Sequence, residues 1–426
     1  MGPSPDVKRD RDRRFVWHPW SPTGADRAST MITSGSGYLV KDIDGNEFLD
    51  AGSLNAVCGY AHPHVVQALQ TQLQRLHTFD IASNSHELVG ELAERIASYL
   101  SPDLSRTLFV NSGSEAFDAA LFIAANHWSF RGEPRTRVVT LARGYHGATL
   151  ASRGLSALPR VRQPLTPAVK ATFVDLPNRA AAMREADSLP ALLAAFERAI
   201  GSDASDLPMA VIVEPFLNVG GGVVLPPGFL GGLRTLCDQT GTLFVVDEIF
   251  TGYGRTGKLF ACQHEWALPD ILVSSKGLAS GYVPIAAVTA TQSIYESFAA
   301  DSVIGGLRYG HTTAGHALGC AAALATLDVI EREHLVERAA ELGRLLLRRM
   351  ACLMGSADIV DVRGLGLVGV VEMSSVESAA RLREQARHHG LLVKQQSEAV
   401  VVVPPLIVDE AGIEDIARRL LASTWS

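Results

Sequence analysis

TLFVVDEIFTGYGRTGKLFACQHEWALPDILVSSKGLASG (242–281) decides the fold. Its two apolar runs, TLFVVDEI (242–249) and DILVSS (270–275), lack polar alternation, as expected of strands covered by helices on both faces of a sheet. Working outward, similar runs occur at TLFVNS (107–112), RVVTLA (137–142), ATFVDL (171–176), MAVIVEP (209–215) and IAAVTA (285–290). Between them, SEAFDAALFIAANHW (114–128) and LPALLAAFERAI (189–200) have the spacing of amphipathic helices. Strands alternating with helices predict an α/β unit with a mostly parallel, doubly wound sheet.

From Gly315 the pattern changes to a long helical stretch, 316–353, leading to a C-terminal α+β unit that ends near Ser426. The segment YLVKDIDGNEFLDAG (38–52) reads as two strands around an Asp-Gly turn. It joins residues 1–60 to that smaller unit. The expected organisation is therefore 1–60 in the small domain, 61–314 as the large domain, and 315–426 as linking helix and small domain.

With 426 residues, 47% hydrophobic and 19% charged, the chain can bury a large core, which excludes a disordered or fibrous protein. A net charge of −7 gives no electrostatic reason to bind nucleic acid or an anionic membrane. The charged run KRDRDRR (8–14) reads as a solvated, mobile N-terminus. Five cysteines, odd in number and never spaced as CxxC, suggest neither a disulfide framework nor a zinc site, and fit a reducing cytoplasm. No apolar run approaches the roughly 20 residues of a membrane span, so a cytosolic protein is expected.

Two motifs fail on chemistry. GYGRTGK (252–258) matches a phosphate-binding GxxxxGK, but Leu259 stands where Ser or Thr must hold magnesium. GLGLVG (364–369) spells GxGxxG, yet the residues after it read as a strand, whereas a dinucleotide loop must open a helix. It reads as a strand turn.

Only six of the 38 basic residues are lysines, and Lys276 follows an apolar strand and precedes a glycine-bearing turn. Its amine belongs at the carboxyl edge of the sheet, where α/β proteins bind ligands. An isolated lysine there would ordinarily snorkel into solvent. Asp247, one strand earlier, follows four apolar residues and should be buried, where it needs a partner. A protonated pyridine nitrogen is one such partner, and Arg255 is the structural alternative. NSGSEA (111–116) runs from a strand end into a helix, so its first amides and serine hydroxyls could cradle a phosphate, or form a plain helix cap. Tyr145 of GYHG (144–147) could stack on an aromatic ring.

Together NSGSEA, GYHG, VEP (213–215), VDEIFTGYGRTG (246–257), PDILVSSKGLASG (269–281), GHTTAGH (310–316) and VRGLGL (362–367) resemble, in order and spacing, the class III pyridoxal-phosphate aminotransferases of fold type I. The likeness spans nearly the whole chain and is greatest to the ω-aminotransferases. It implies that Lys276 carries pyridoxal phosphate as a Schiff base and Asp247 pairs with the ring nitrogen. Ile249 and Tyr145 would cover the two ring faces, and Gly113 and Ser114 would bind the phosphate. His146 and Glu214 would lie beside the cofactor. Thr312 would reach the phosphate of a partner subunit, which implies a homodimer. Freed, neutral Lys276 would move the Cα proton, and a small-molecule amino donor and a keto acid would react in turn. Another reaction on the same scaffold, such as isomerisation, racemisation, decarboxylation or phospho-lysis, is the principal alternative, and a non-catalytic cofactor-binding protein is a remote one.

The chain departs from that family around the substrate. Relatives that use 2-oxoglutarate carry an arginine near the C-terminal PPL segment, but here LLVKQQSEAVVVVPPL (391–406) offers only Lys394. A lysine lacks the planar two-point grip. Val219 replaces a glutamate that neutralises such an arginine, Leu54 stands at a frequent tryptophan position, and Phe250 at a glutamine position. These departures favour an amine or ω-amino acid as donor and pyruvate or a similar small keto acid as acceptor.

Overall fold

The computed structural model describes residues 2–26, 30–162, 169–177, 179–356 and 358–424; chain positions 1 and 426 lie outside them. In chain order its strands are β1 (Ile32–Ser36), β2 (Leu39–Asp42), β3 (Glu47–Ala51), β4 (Leu104–Val110), β5 (Arg137–Leu141), β6 (Lys170–Val174), β7 (Ala210–Val213) and the short pair β8 (Phe216–Leu217) and β9 (Val223–Val224). There follow β10 (Leu243–Asp247), β11 (Ile271–Ser274), β12 (Ala286–Thr291), β13 (Ile359–Gly364), β14 (Gly369–Met373), β15 (Leu391–Gln396) and β16 (Ala399–Val402).

One seven-stranded sheet runs β4-β12-β11-β10-β7-β5-β6. All seven strands expected from the apolar runs are present in it. Only β12 is antiparallel to its neighbours, so β4, β5, β7, β10 and β11 end on the same edge. Both faces are apolar because successive residues point to opposite sides. Phe244 and Val246 of β10 join the core cluster that includes Phe196, Leu233 and Leu327, while Leu243 and Val245 join one built on Phe117, Ile123 and Trp128. The expected helices appear as Gly113–Phe130 and Ser188–Ile200.

The second sheet, β1-β2-β3-β15-β16-β14-β13, draws strands from both ends of the chain. β2 and β3 pair antiparallel, and the Asp42 carboxylate accepts from the amides of Asp44 and Asn46 in the turn that joins them. GLGLVG forms the turn between β13 and β14, which pair antiparallel, as the strand-turn reading requires. Gly366 there has φ +53°, and a Cβ on it would overlap the Thr256 backbone.

Two expectations change. The run 8–14 is not a loose terminus: Pro5–Phe15 is a helix capped by Ser4, with Asp6 in its first turn and Arg13 and Arg14 in its last. Arg9 pairs with Asp44 and Arg13 with Asp26, which ties this helix to the chain that follows. The helical stretch after Gly315 is two helices, Ala317–Arg332 and Leu335–Met350, broken at His334 in a left-handed conformation at φ +52°. No helix among the described residues is long and apolar enough to cross a membrane.

Candidate active site

Five strand ends meet at the shared edge of the large sheet, and a cavity of about 200 Å³ lies there. Lys276, Asp247, Glu214, Tyr145 and His146 line it, as do Gly113 and Ser114 at the start of the helix after β4, and Ile249 and Phe250 just beyond β10. Residues from 113 to 276 converge because each follows a parallel strand of one sheet.

Lys276 begins a short turn of 3-10 helix directly after β11. Its φ of +33° is a conformation that costs a residue with a side chain on the order of 1–3 kcal/mol. The surroundings hold it there: a Cβ on the next residue, Gly277, would sit 3.0 Å from Tyr253. The amine opens into the cavity and makes no hydrogen bond or ion pair among the described residues. Loss of water around it lowers its pKa, opposed by the charges of Asp247 and Glu214 and helped by Lys394.

Asp247 is buried at the end of β10, and its partner is not Arg255. Its Oδ2 lies 2.8 Å from His146 Nδ1, and its Oδ1 accepts from the Ile249 amide at 3.0 Å. With Nδ1–H donating to the carboxylate, His146 Nε2 is left to accept from the Thr140 hydroxyl at 3.3 Å. The Phe117 ring packs on the imidazole, centroids 4.8 Å apart. Arg255, fully buried, instead donates to the carbonyls of Pro404 and Leu367, tying the GRTG turn to the second sheet.

Glu214, just past β7, is buried and accepts from the Tyr145 amide at 2.7 Å. Burial pushes its carboxyl pKa up, and the nearby Asp247 charge pushes it further. That bond fixes the loop after β5 that carries Tyr145 to the cavity, and Ile249, just past β10, lines it too. Trp20 stands edge-on to Tyr145 at 6.1 Å between centroids.

At the helix start, Ser112 is the N-cap and its hydroxyl accepts from the Glu115 amide at 3.3 Å. The amides of Gly113 and Ser114 have no partner within the helix, which is the ordinary condition of a first turn and an anion-binding one. Ser114 Oγ accepts from the Ala148 amide at 3.0 Å and so links this turn to GYHG.

These residues fit pyridoxal phosphate. A polar turn with free amides can take its phosphate, a buried Asp247 can face the ring nitrogen, and an unpaired Lys276 amine can meet its aldehyde.

A family profile described as aminotransferase class III matches residues 21–422. The chain belongs to the class III aminotransferases. An ω-aminotransferase of Caulobacter vibrioides is 33% identical over 434 residues, covering 96% of this chain and 98% of that protein. An adenosylmethionine-8-amino-7-oxononanoate aminotransferase of Geobacter sulfurreducens is 30% identical, covering 97% and 96%. Among solved structures, the ω-transaminase of Pseudomonas jessenii in complex with PMP superposes with TM-score 0.90 at 28% identity, covering 97% of each chain. A Bacillus anthracis aminotransferase superposes with TM-score 0.92, also at 28% identity, covering 99% of this chain and 98% of that one. The fold is that of the fold-type-I pyridoxal-phosphate enzymes, and this class III aminotransferase is a pyridoxal-phosphate-dependent enzyme acting on amino donors and keto-acid acceptors.

The remaining expected residues lie apart from the cavity lining. Thr312 is exposed. Leu54 is half-buried and packs on a cluster containing Phe216, Phe250, Val370 and Val401, and the Phe250 ring centre is 5.7 Å from Lys276 Nζ. Lys394 is exposed on β15. Residues the motifs did not single out also belong here: Asn218, Ser275 and Gly147 line the cavity, beside Val219, whose position the sequence had marked. Gly147 was legible within GYHG; Asn218 carried no local signal.

Proposed function

We propose that this aminotransferase moves an amino group from an amine or ω-amino acid to a small keto acid, pyruvate in preference to 2-oxoglutarate, in two alternating half-reactions. The observation that carries this reading is the apolar Phe250, backed by Phe216 and Leu54, in the cavity that Lys276 lines, with neutral Val219 where a gating glutamate would stand. Such an apolar side suits the carbon skeleton of an amine.

When bound, pyridoxal phosphate supplies an aldehyde that condenses with amines and a ring that accepts the electrons released at the substrate Cα. Gly113 and Ser114 would hold its phosphate, Tyr145 and Ile249 would confine its ring, and Asp247, oriented by His146, would keep the ring nitrogen protonated. Glu214 fixes the Tyr145 loop. Lys276 Nζ, favoured as a neutral amine by burial, would take the Cα proton of the donor and pass it to the cofactor, and in the second half-reaction would deliver a proton to the Cα of the acceptor. Thr312, exposed and away from this cavity, would serve the phosphate of a second subunit in a homodimer. Residues 61–314 would form the cofactor-binding unit, and 1–60 with 315–426 the smaller one. Five free cysteines support action in the cytoplasm.

The test is a panel of amines and ω-amino acids against pyruvate and 2-oxoglutarate, followed by cofactor absorbance. Donors should convert the enzyme to its pyridoxamine form and pyruvate should restore it. Faster recovery with 2-oxoglutarate would reverse the acceptor assignment, and donor turnover without the pyridoxamine form would assign a different reaction. Lys276→Ala should lose both turnover and borohydride-fixable cofactor.

A further inference from the structure

Arg160 is a cation the motifs do not mention, and it stands against the active-site cavity. Its Nη2 donates to the carbonyl of Val219, a lining residue, at 2.7 Å, and to Gln396 Oε1 at 2.7 Å. Its charge is close enough to the half-buried Tyr145 for each to influence the other's ionisation. No carboxylate pairs with it among the described residues, and Nε and Nη1 make no hydrogen bond there. Both Nη2 hydrogens are thus spent on fixing the guanidinium plane, and the Nη1 and Nε hydrogens remain available as charged donors.

Two further features share this wall. Asn218, adjacent to Val219, lines the cavity and is 1% exposed, yet its Oδ1 and Nδ2 have no hydrogen-bond partner among the described residues. An unpaired buried amide costs on the order of 1–3 kcal/mol, a cost that a ligand bonding to it would offset. Lys394 lies two residues from Gln396 on β15, so both side chains leave the same face of that strand. It too has no ion pair among the described residues, and its charge acts on Lys276.

We propose that Arg160 and Asn218 form the carboxylate-recognition wall of this cavity, gripping the carboxylate of keto-acid acceptors and ω-amino-acid donors, with Lys394 adding a second positive charge. Arg160 supplies a permanently charged donor, held in place by Val219 and Gln396, where the C-terminal PPL region has no arginine. Because the guanidinium approaches from the Val219 side, the carboxylate lies beside Tyr145 and leaves the apolar Phe250 side for the substrate's carbon chain. The inference rests on the aminotransferase reading and adds the residue that selects acidic substrates.

The experiment uses holoenzyme of the wild type, Arg160→Ala, Arg160→Lys and Asn218→Ala, with two readouts. Calorimetry measures the dissociation constants of propionate and glutarate, which bind without reacting. Stopped-flow absorbance compares recovery of the pyridoxamine form by pyruvate with its formation from isopropylamine, a donor without a carboxylate. Arg160→Ala should weaken propionate binding at least tenfold and should slow the pyruvate step at least ten times more than the isopropylamine step. Arg160→Lys should recover part of the loss, and Asn218→Ala should show the same selectivity with a smaller change. Unchanged carboxylate affinity in Arg160→Ala and Arg160→Lys, or equal slowing of both half-reactions, overturns the proposal. Failure of the wild type to form the pyridoxamine form from any amine would refute the aminotransferase reading instead, while the calorimetric comparison would still decide what Arg160 binds.

Discussion

His146 Nδ1 and Asp247 Oδ2 lie 2.8 Å apart, and both side chains are buried. The imidazole therefore orients the carboxylate that faces the cavity, and the Ile249 amide holds its second oxygen. In the proposed function Asp247→Asn removes the charge that would keep a ring nitrogen protonated, and it should slow amino transfer by about a hundredfold or more. His146→Asn should slow it by about tenfold, the worth of one hydrogen bond to a charged group, with a smaller change in cofactor affinity. Single-turnover rates with a saturating donor check both, and equal losses in the two variants would show that His146 does more than orient Asp247.

Glu214 gives a pH-dependent stability effect with a definite sign. Burial first, and repulsion by Asp247 second, raise its folded-state pKa above the ordinary 4.5. A raised folded pKa means that the native state holds a proton the unfolded chain releases above that ordinary value. The associated stability is present in full below about pH 4.5 and is lost as pH rises toward the folded pKa. Glu214→Gln keeps an oxygen for the Tyr145 amide and has no proton to lose. The variant should therefore gain thermal stability relative to the wild type at pH 8 and much less at pH 5. Melting temperatures of the apoproteins at the two pH values measure this, and a gain that does not grow with pH would place an ionised Glu214 in the native protein.

The large sheet was legible because its buried strands are apolar on both faces, which leaves a short, unbroken signal at each position. Lys276 and Asp247 were legible for the same reason, as single polar residues ending such runs. Contacts made across the fold left no local trace. His146 and Asp247 are separated by 101 residues, and Arg160 and Gln396 by 236. No periodicity links them. The terminal helix was missed because its faces are charged all round, and what holds it are ion pairs such as Arg9 with Asp44, formed only after the chain folds back.

Gly147 should not tolerate a side chain. Its φ is +141°, and an added Cβ would stand 2.5 Å from Ser152 Oγ and 2.8 Å from Ser114 Oγ. Those two hydroxyls are part of the small network that joins the helix start to the GYHG loop, where the proposed function puts the phosphate, with Thr149 2.7 Å from Ser152. Gly147→Ala should destabilise the protein by about 1–3 kcal/mol through backbone strain and raise the dissociation constant for pyridoxal phosphate at least tenfold. Thermal melts and cofactor titration report the two effects separately.

Thr312 tests the assembly. It is exposed and absent from the lining of the cavity formed by its own chain, so any contact with a phosphate in this reading crosses to another subunit. Beyond the sheet, Val303 and Ile304 expose 65% and 62% of their surface a few residues before it, an apolar pair suited to cover by a second chain. Sedimentation should give a dimer. Thr312→Ala should keep the dimer while weakening pyridoxal phosphate about ten- to a hundredfold, the value of one hydrogen bond to a charged group removed from each site. Val303→Asp combined with Ile304→Asp should yield monomers that bind the cofactor at least as weakly as Thr312→Ala does. A monomeric wild type, or mutant monomers with unimpaired cofactor affinity, would confine the phosphate site to one chain and leave Thr312 without that role.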